Sequence, residues 1–156
     1  MRVLIIGASG LLGRAVVKAF GAAGHEVTGT GMTRTKKANL LELDVLKSEQ
    51  VEKVLDSVKP HVVVYAARET PAAAAELDVV ADPRSNPAGN VAAAARAAGA
   101  WMLYISCDSV FSATPVPSTP LAPDTPTAPA DSDQHGWYKA LSERAVLAAG
   151  GGDVGI

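Results

Sequence analysis

The N-terminal stretch reads Arg2-Val3-Leu4-Ile5-Ile6, then Gly7-Ala8-Ser9-Gly10-Leu11-Leu12-Gly13, then Arg14-Ala15-Val16-Val17-Lys18. The first run is typical of a buried parallel strand, and the residues after the glycines have the apolar spacing of a helix. Gly7 allows a sharp turn, Gly10 lets the backbone approach a pyrophosphate, and Gly13 lets the helix pack closely on the strand. Free N–H groups at the start of such a helix attract phosphate. The stretch therefore predicts a dinucleotide site, with a plain tight turn as the alternative.

The composition predicts a single domain over residues 1–156. Hydrophobic residues make up 48% of the chain and charged residues 19%, which is enough apolar material for a packed core. The formal net charge of −2 gives no basis for a nucleic-acid or membrane partner. Cys107 is the single cysteine, so no internal disulfide can form. This favours a reducing compartment, and we expect a cytoplasmic protein with no metal site.

Strand and helix patterns alternate along the chain. This alternation predicts an α/β fold, a Rossmann-like doubly wound parallel sheet of three layers with strand order 3-2-1-4-5. Ser48 is predicted to cap a helix, and Pro83 and Pro87 are predicted to end the helix over 70–81. Prolines at 115, 117, 120, 123, 126 and 129 predict an extended, poorly packed loop over residues 112–134. Further predicted elements are strands at 25–30, 39–43, 61–65 and 101–106, helices at 70–81, 90–98 and 135–149, and a strand beginning near 153.

Ligands of doubly wound sheets bind at the carboxyl ends of the strands. This rule places residues 7–13, 30–36, 44–46, 66–70 and 107–109 around one crevice. The cofactor-binding residues predicted from these segments are Gly7, Ser9, Gly10, Leu11, Leu12, Gly13, Arg34, Asp44, Val45, Ala66 and Ala67.

The loop after the second predicted strand indicates which dinucleotide binds. An NAD-binding chain usually carries an acidic residue there to hold the ribose hydroxyls. Residues 30–37 instead contain three cations and no carboxylate. Arg34 has the planar fork that suits a 2′-phosphate, so the loop favours NADP over NAD. A solvated basic loop is the alternative.

Glycines at 7, 10 and 13, this close to the N-terminus, resemble those of the extended short-chain dehydrogenase/reductase superfamily. Pro-His-Val-Val-Val at 60–64, Tyr-Ile-Ser-Cys-Asp-Ser-Val-Phe at 104–111 and Glu-Arg-Ala-Val-Leu at 143–147 narrow the resemblance to two groups. One is dTDP-4-dehydrorhamnose reductase. The other, more similar, is the regulatory β subunit of methionine adenosyltransferase, which is involved in S-adenosylmethionine synthesis. The resemblance implies that the methionine adenosyltransferase catalytic subunit is a possible partner. It also implies that Asp44 contacts the adenine amino group, although a local turn bond is the alternative.

The resembled reductases use a Ser or Thr, a Tyr and a Lys, the last two as Y-x-x-x-K. The resemblance places Cys107, His135 and Lys139 at these positions, and implies that Lys139 also contacts the nicotinamide ribose. An imidazole is shorter than a phenol and a thiol donates hydrogen bonds poorly, so we expect little catalysis. A surface lysine is the alternative for Lys139, and a Cys–His nucleophilic pair has no orienting third group.

Three interpretations of function stay open. The first is an NADP-binding, non-catalytic regulatory subunit. The second is an NADP-dependent reductase of a nucleotide sugar, which the resemblance to dTDP-4-dehydrorhamnose reductase implies. The third is an inactive remnant, because both resembled groups continue into a C-terminal substrate region and this chain is expected to be truncated before it.

Overall fold

The computed structural model describes residues 1–32, 39–68, 82–113, 120–122 and 124–156. Its centre is a parallel sheet in the order β3-β2-β1-β4-β5-β6. The predicted order of the first five strands is confirmed, and the sixth pairs with β5. The strands are β1 (Arg2–Ile6), β2 (Glu26–Gly31), β3 (Leu41–Glu42), β4 (Val62–Tyr65), β5 (Trp101–Tyr104) and β6 (Val154–Gly155). The helices are α1 (Leu11–Ala22), α2 (Ser48–Val58), α3 (Pro87–Ala97) and α4 (Gln134–Gly150).

The central strand β1 is apolar on both faces because helices cover both faces of the sheet. Leu4 and Ile6 pack into a core with residues of α2, α3 and α4, among them Val51, Val91 and Val146. Their neighbours in β1 point to the other face and pack against α1. This produces the predicted three layers, with the carboxyl ends of β1, β2 and β4 side by side at one edge of the sheet.

Helix α1 ends where the glycine signal predicts. Gly24 has a φ of +78°. The N–H of Gly24 donates to the Gly21 carbonyl at 3.0 Å, and that of His25 to the Phe20 carbonyl at 3.1 Å. This pair of bonds is a Schellman motif, in which a glycine takes the left-handed conformation at low cost. It turns the chain directly into β2.

The helix predicted over 90–98 begins three residues earlier than expected, because α3 starts at Pro87. The residue before it, Asn86, is fully buried and caps the helix. Its Oδ1 accepts from the N–H groups of Ala88 at 2.9 Å and Gly89 at 3.2 Å. A proline at the first helical position lacks an N–H that would be unpaired there in any case. The Nδ2 of Asn86 donates to Ser142 Oγ at 3.0 Å, which ties α3 to α4.

Ser48 does not cap α2, contrary to prediction, because Lys47 occupies the N-cap position. The Ser48 hydroxyl donates instead to Asn90 Oδ1 on α3, at 3.2 Å. A serine at a helix start can serve either its own backbone or a neighbouring helix, and local sequence does not distinguish the two.

The proline-containing segment carries no helix or strand at its described positions 112–113, 120–122 and 124–133, and none of these is buried. Hydrogen bonds nevertheless attach it to the domain. The N–H of Ala128 donates to the Val110 carbonyl at 2.7 Å, and that of Ala113 to the Ala128 carbonyl at 2.8 Å. The helix predicted over 70–81 lies outside the described residues. None of the helices in the described ranges has both the length and the apolar character needed to cross a bilayer.

Candidate functional site

The turn between β1 and α1 lies directly against the chain that leaves β4. Gly7 has a φ of +87°, and a Cβ placed on it would lie 2.6 Å from the Cα of Ala67. The N–H of Gly10 donates to the Gly7 carbonyl at 3.0 Å, and that of Ala8 to the Thr30 carbonyl at 2.8 Å. Any side chain at Gly7 would therefore separate β1 from the end of β4. The turn role predicted for this glycine is present in the structure.

Gly13 performs the packing role that its spacing predicts. It is the buried residue of α1, and a Cβ on it would lie 2.2 Å from the Gly7 carbonyl oxygen. The first turn of α1 consequently sits directly on the glycine turn. Gly10 is the N-cap of the helix. Cofactor binding by these glycines stays a prediction.

The start of α1 presents unsatisfied N–H groups to solvent. Gly10 offers no side chain to cap the helix, and the first turn contains no acidic residue. In the described part of the chain, no oxygen accepts from the N–H of Leu11 or Leu12. The partial positive charge of a helix N-terminus is thus available to an anion.

A cavity of about 520 Å³ opens at the carboxyl ends of β1, β2 and β4. Its volume is in the range of small-molecule sites, about 300–1,000 Å³. Most of the cofactor-binding residues predicted from the sequence line it. They are Gly7, Ser9, Gly10, Leu11, Leu12, Val45, Ala66 and Ala67. The structure therefore brings together residues from three separate segments of the chain.

Asp44 is directed into its own turn. Its Oδ1 accepts from the Leu46 N–H at 3.1 Å, and its Oδ2 lies 3.8 Å from Lys47 Nζ. Among the described residues of the cavity wall, its neighbours Leu43 and Val45 are present and Asp44 is not. This geometry matches the local turn bond that was the alternative for Asp44. Contact with adenine stays a prediction.

The end of β2 contributes Thr30, Gly31 and Met32 to the wall, so no carboxylate stands there in the described part. Arg34 lies outside the described residues. The single charged side chain on the described wall is Arg68, which the sequence analysis did not select. The sequence analysis places residues 66–70, just beyond β4, at the crevice, and this placement could have identified Arg68.

Lys139 is bound to the end of β5. Its Nζ donates to the Ile105 carbonyl at 2.8 Å and to the Tyr104 hydroxyl at 3.1 Å. The ammonium also lies 4.5 Å from the centroid of the Tyr104 ring, a cation–π distance. Tyr104 is fully buried, and the sequence analysis did not connect it with Lys139. The two residues are far apart in sequence, and no local pattern signals such a pair.

A second bond joins the same two elements. The Ser106 hydroxyl donates to the Glu143 carboxylate, and Glu143 lies four residues after Lys139 on α4. Side chains four apart share a helix face, so both are directed at the end of β5. Cys107 follows directly, half-buried, with a free thiol. The residue before Cys107 is thus attached to α4.

The start of α4 packs tightly against residues 108–111. A Cβ on Gly136 would lie 2.3 Å from the Ser109 carbonyl oxygen. Asp133 caps the helix, with its Oδ1 accepting from the Gly136 N–H at 2.9 Å. This N–H is the main cause that holds the pKa of the Asp133 carboxyl below its usual value. The close approach brings the segments that carry Cys107 and His135 together, so the three predicted catalytic positions lie in one region.

A parallel doubly wound sheet with this glycine turn and cavity defines a Rossmann-like protein. The chain belongs to the RmlD substrate binding domain family, which it matches over residues 1–154. Methionine adenosyltransferase 2 subunit beta of Rattus norvegicus is 37% identical over 154 residues. The dTDP-4-dehydrorhamnose reductase of Burkholderia thailandensis is 32% identical over 153 residues. These matches cover 94% and 97% of the chain, and 42% and 47% of the relatives. The chain therefore spans less than half the length of either relative.

Solved structures agree with this assignment. A dTDP-4-dehydrorhamnose reductase from Clostridium acetobutylicum superposes with a TM-score of 0.73 at 28% identity, covering 99% of this chain and 51% of that one. The Bacillus anthracis dTDP-4-dehydrorhamnose reductase, solved in complex with NADP, gives 0.69 at 25% identity, covering 98% and 51%. Both resemblances identified from the sequence, to the reductases and to the β subunit, are confirmed.

Proposed function

We propose that this chain binds NADP(H) in the cavity beside β1 and acts as a non-catalytic regulatory component of a methionine adenosyltransferase. One observation supports the proposal that a dinucleotide binds in this cavity. The cavity is walled by a glycine turn without side chains and by helix N–H groups that have no acceptor in the described part. A pyrophosphate supplies the negative charge and the close backbone contact that such a wall accommodates.

The residues present suit a nicotinamide dinucleotide. The N–H groups of Leu11 and Leu12 would bind the phosphates, because nothing else described accepts from them. Ala66 and Ala67 leave room for a ribose, and Met32, which is 63% exposed, offers an apolar surface for a base. A bound nicotinamide would supply hydride chemistry. The NADP complex of the Bacillus anthracis reductase supports this choice.

The preference for NADP over NAD is proposed from the cationic loop after β2. The absence of a carboxylate at Thr30, Gly31 and Met32 supports it, since an acidic side chain there would repel a 2′-phosphate. Arg34 is the proposed phosphate ligand.

Replacing Arg34 with alanine is expected to weaken NADPH binding about tenfold and to leave NADH binding unchanged, because only NADPH carries the 2′-phosphate. Isothermal titration calorimetry on the chain measures both dissociation constants. Lys18→Ala, on the surface of α1, removes the same charge outside the loop and is the control. Equal affinity of the unmodified chain for the two cofactors, unaffected by Arg34→Ala, would refute the preference. Circular dichroism verifies that each variant is folded.

The regulatory role is proposed from the similarity to the β subunit and from the groups at the catalytic positions. Imidazole and thiol stand where the reductases are expected to carry a phenol and a hydroxyl. A reductase is the second candidate, favoured by the fold shared with the Clostridium acetobutylicum enzyme and by the presence of Lys139. The two candidates differ in whether a partner or a substrate is bound.

The partner is testable with purified proteins. Mixed with the catalytic subunit of a methionine adenosyltransferase, the chain is expected to co-elute in size-exclusion chromatography and to change the rate of S-adenosylmethionine formation. The Burkholderia thailandensis reductase serves as a control of the same fold. A full-length β subunit is the positive control. If that subunit forms a complex under the same conditions and this chain does not, the regulatory proposal is wrong for this chain.

A further inference from the structure

Arg68 enters the cavity wall at a position defined by backbone contacts. Beyond the last residue of β4, the N–H of Ala66 donates to the Ile6 carbonyl at 2.9 Å, which keeps the chain beside β1. Ala67 then passes so close to Gly7 that a Cβ placed on Gly7 would lie 2.6 Å from the Ala67 Cα. Arg68 follows immediately, so its side chain starts next to the glycine turn.

Among the described residues, no carboxylate neutralises the guanidinium of Arg68. The described residues of the wall include no carboxylate. Both ion pairs found in the described ranges, Lys47 with Asp44 and Arg84 with Glu52, lie elsewhere. The same wall presents the N–H groups of Leu11 and Leu12. An anion in the cavity would therefore have helix dipole and guanidinium charge available together.

The strand order determines which phosphate Arg68 can reach. In the sheet, β4 pairs with β1 on the side opposite β2. Arg68 follows β4, so it lies on the side of the glycine turn opposite the end of β2. The 2′-phosphate is proposed to bind Arg34, which follows β2 in the sequence, whereas the pyrophosphate is proposed to lie on the glycine turn itself.

We infer that Arg68 is a ligand of the 5′-diphosphate of the bound dinucleotide, held opposite the N–H groups that begin α1. This inference rests on the proposed dinucleotide site and adds a side chain to it. A planar guanidinium can donate two parallel hydrogen bonds to phosphate oxygens. Because NADP and NAD share the diphosphate, Arg68 contributes affinity for both and does not select between them.

Arg68→Ala is expected to weaken the binding of NADPH, NADH and ADP by about tenfold each, the effect of one charge-assisted contact. The ratio of the NADPH and NADH dissociation constants should stay unchanged. Adenosine 2′-monophosphate, which has no 5′-phosphate, should bind the variant as well as it binds the unmodified chain. Competition against NADPH in a fluorescence titration measures the weaker ligands.

Arg14→Ala is the matched control, since Arg14 is exposed on the first turn of α1 and does not line the cavity. If Arg14→Ala and Arg68→Ala lose the same nucleotide affinity, the effect comes from the overall charge of the protein and the inference is overturned. A loss confined to NADPH would make Arg68 a 2′-phosphate ligand and also overturn it. If NADPH and ADP bind the unmodified chain and bind Arg68→Ala equally well, only the inference fails. If neither nucleotide binds the unmodified chain, the proposed function fails with it.

Discussion

Replacing Gly13 with alanine is expected to lower the free energy of unfolding by about 3 kcal/mol, at the upper end of the cost of an overpacked core. The new methyl group would lie 2.2 Å from the Gly7 carbonyl oxygen and 2.8 Å from the Ala8 Cα. Both are backbone atoms of the glycine turn, so relief requires α1 to move away from β1. Urea denaturation followed by circular dichroism measures the change.

Gly21→Ala is the matched control within the same helix. A Cβ on Gly21 meets nothing within 4 Å, so the substitution only exchanges glycine for a better helix former. It is expected to raise the free energy of unfolding by about 0.5–1 kcal/mol. If Gly13→Ala lowers the free energy of unfolding and Gly21→Ala raises it, α1 packs on the glycine turn as described. A gain in stability from Gly13→Ala would contradict this packing.

With NADPH and a dTDP-4-dehydro sugar, the chain is expected to turn over at least about 10²-fold more slowly than the Burkholderia thailandensis reductase. Removing a positioned general acid costs typically 10²–10⁴-fold, and a 1 Å misplacement alone can cost about 10²-fold. His135 presents an imidazole where the reductases are expected to have a phenol. The Lys139 ammonium is bound to Tyr104 and Ile105 in the structure. NADPH consumption, followed by absorbance, measures the rate.

A reductase role for His135 would give a different result. Robust turnover by the unmodified chain, abolished in His135→Ala and retained in Trp137→Ala, would show that the imidazole has become the general acid. The non-catalytic proposal would then be wrong. Trp137 is a suitable control because it lies on the same helix, is 47% exposed and does not line the cavity beside β1.

The fold and the position of the cavity could be predicted because their signals are local and periodic. A buried apolar run, glycines three residues apart and a helical pattern specify the β1–α1 unit within residues 2–20. The right-handedness of the crossovers then restricts the sheet to a few strand orders, among them the doubly wound order. The edge of the sheet that gathers the ligand-binding segments follows from the same rule, which is why most predicted cofactor residues line one cavity.

Contacts between distant residues were decided only by the tertiary structure. Ser48 bonds to Asn90 rather than to its own helix, and Lys139 is held by the buried Tyr104. Arg68 is the one charged side chain among the described residues of a cavity wall that four separate segments build. The physical reason is common to all of them. A polar group binds the partner that folding brings within about 3 Å, and neither propensity nor spacing along the chain determines that partner.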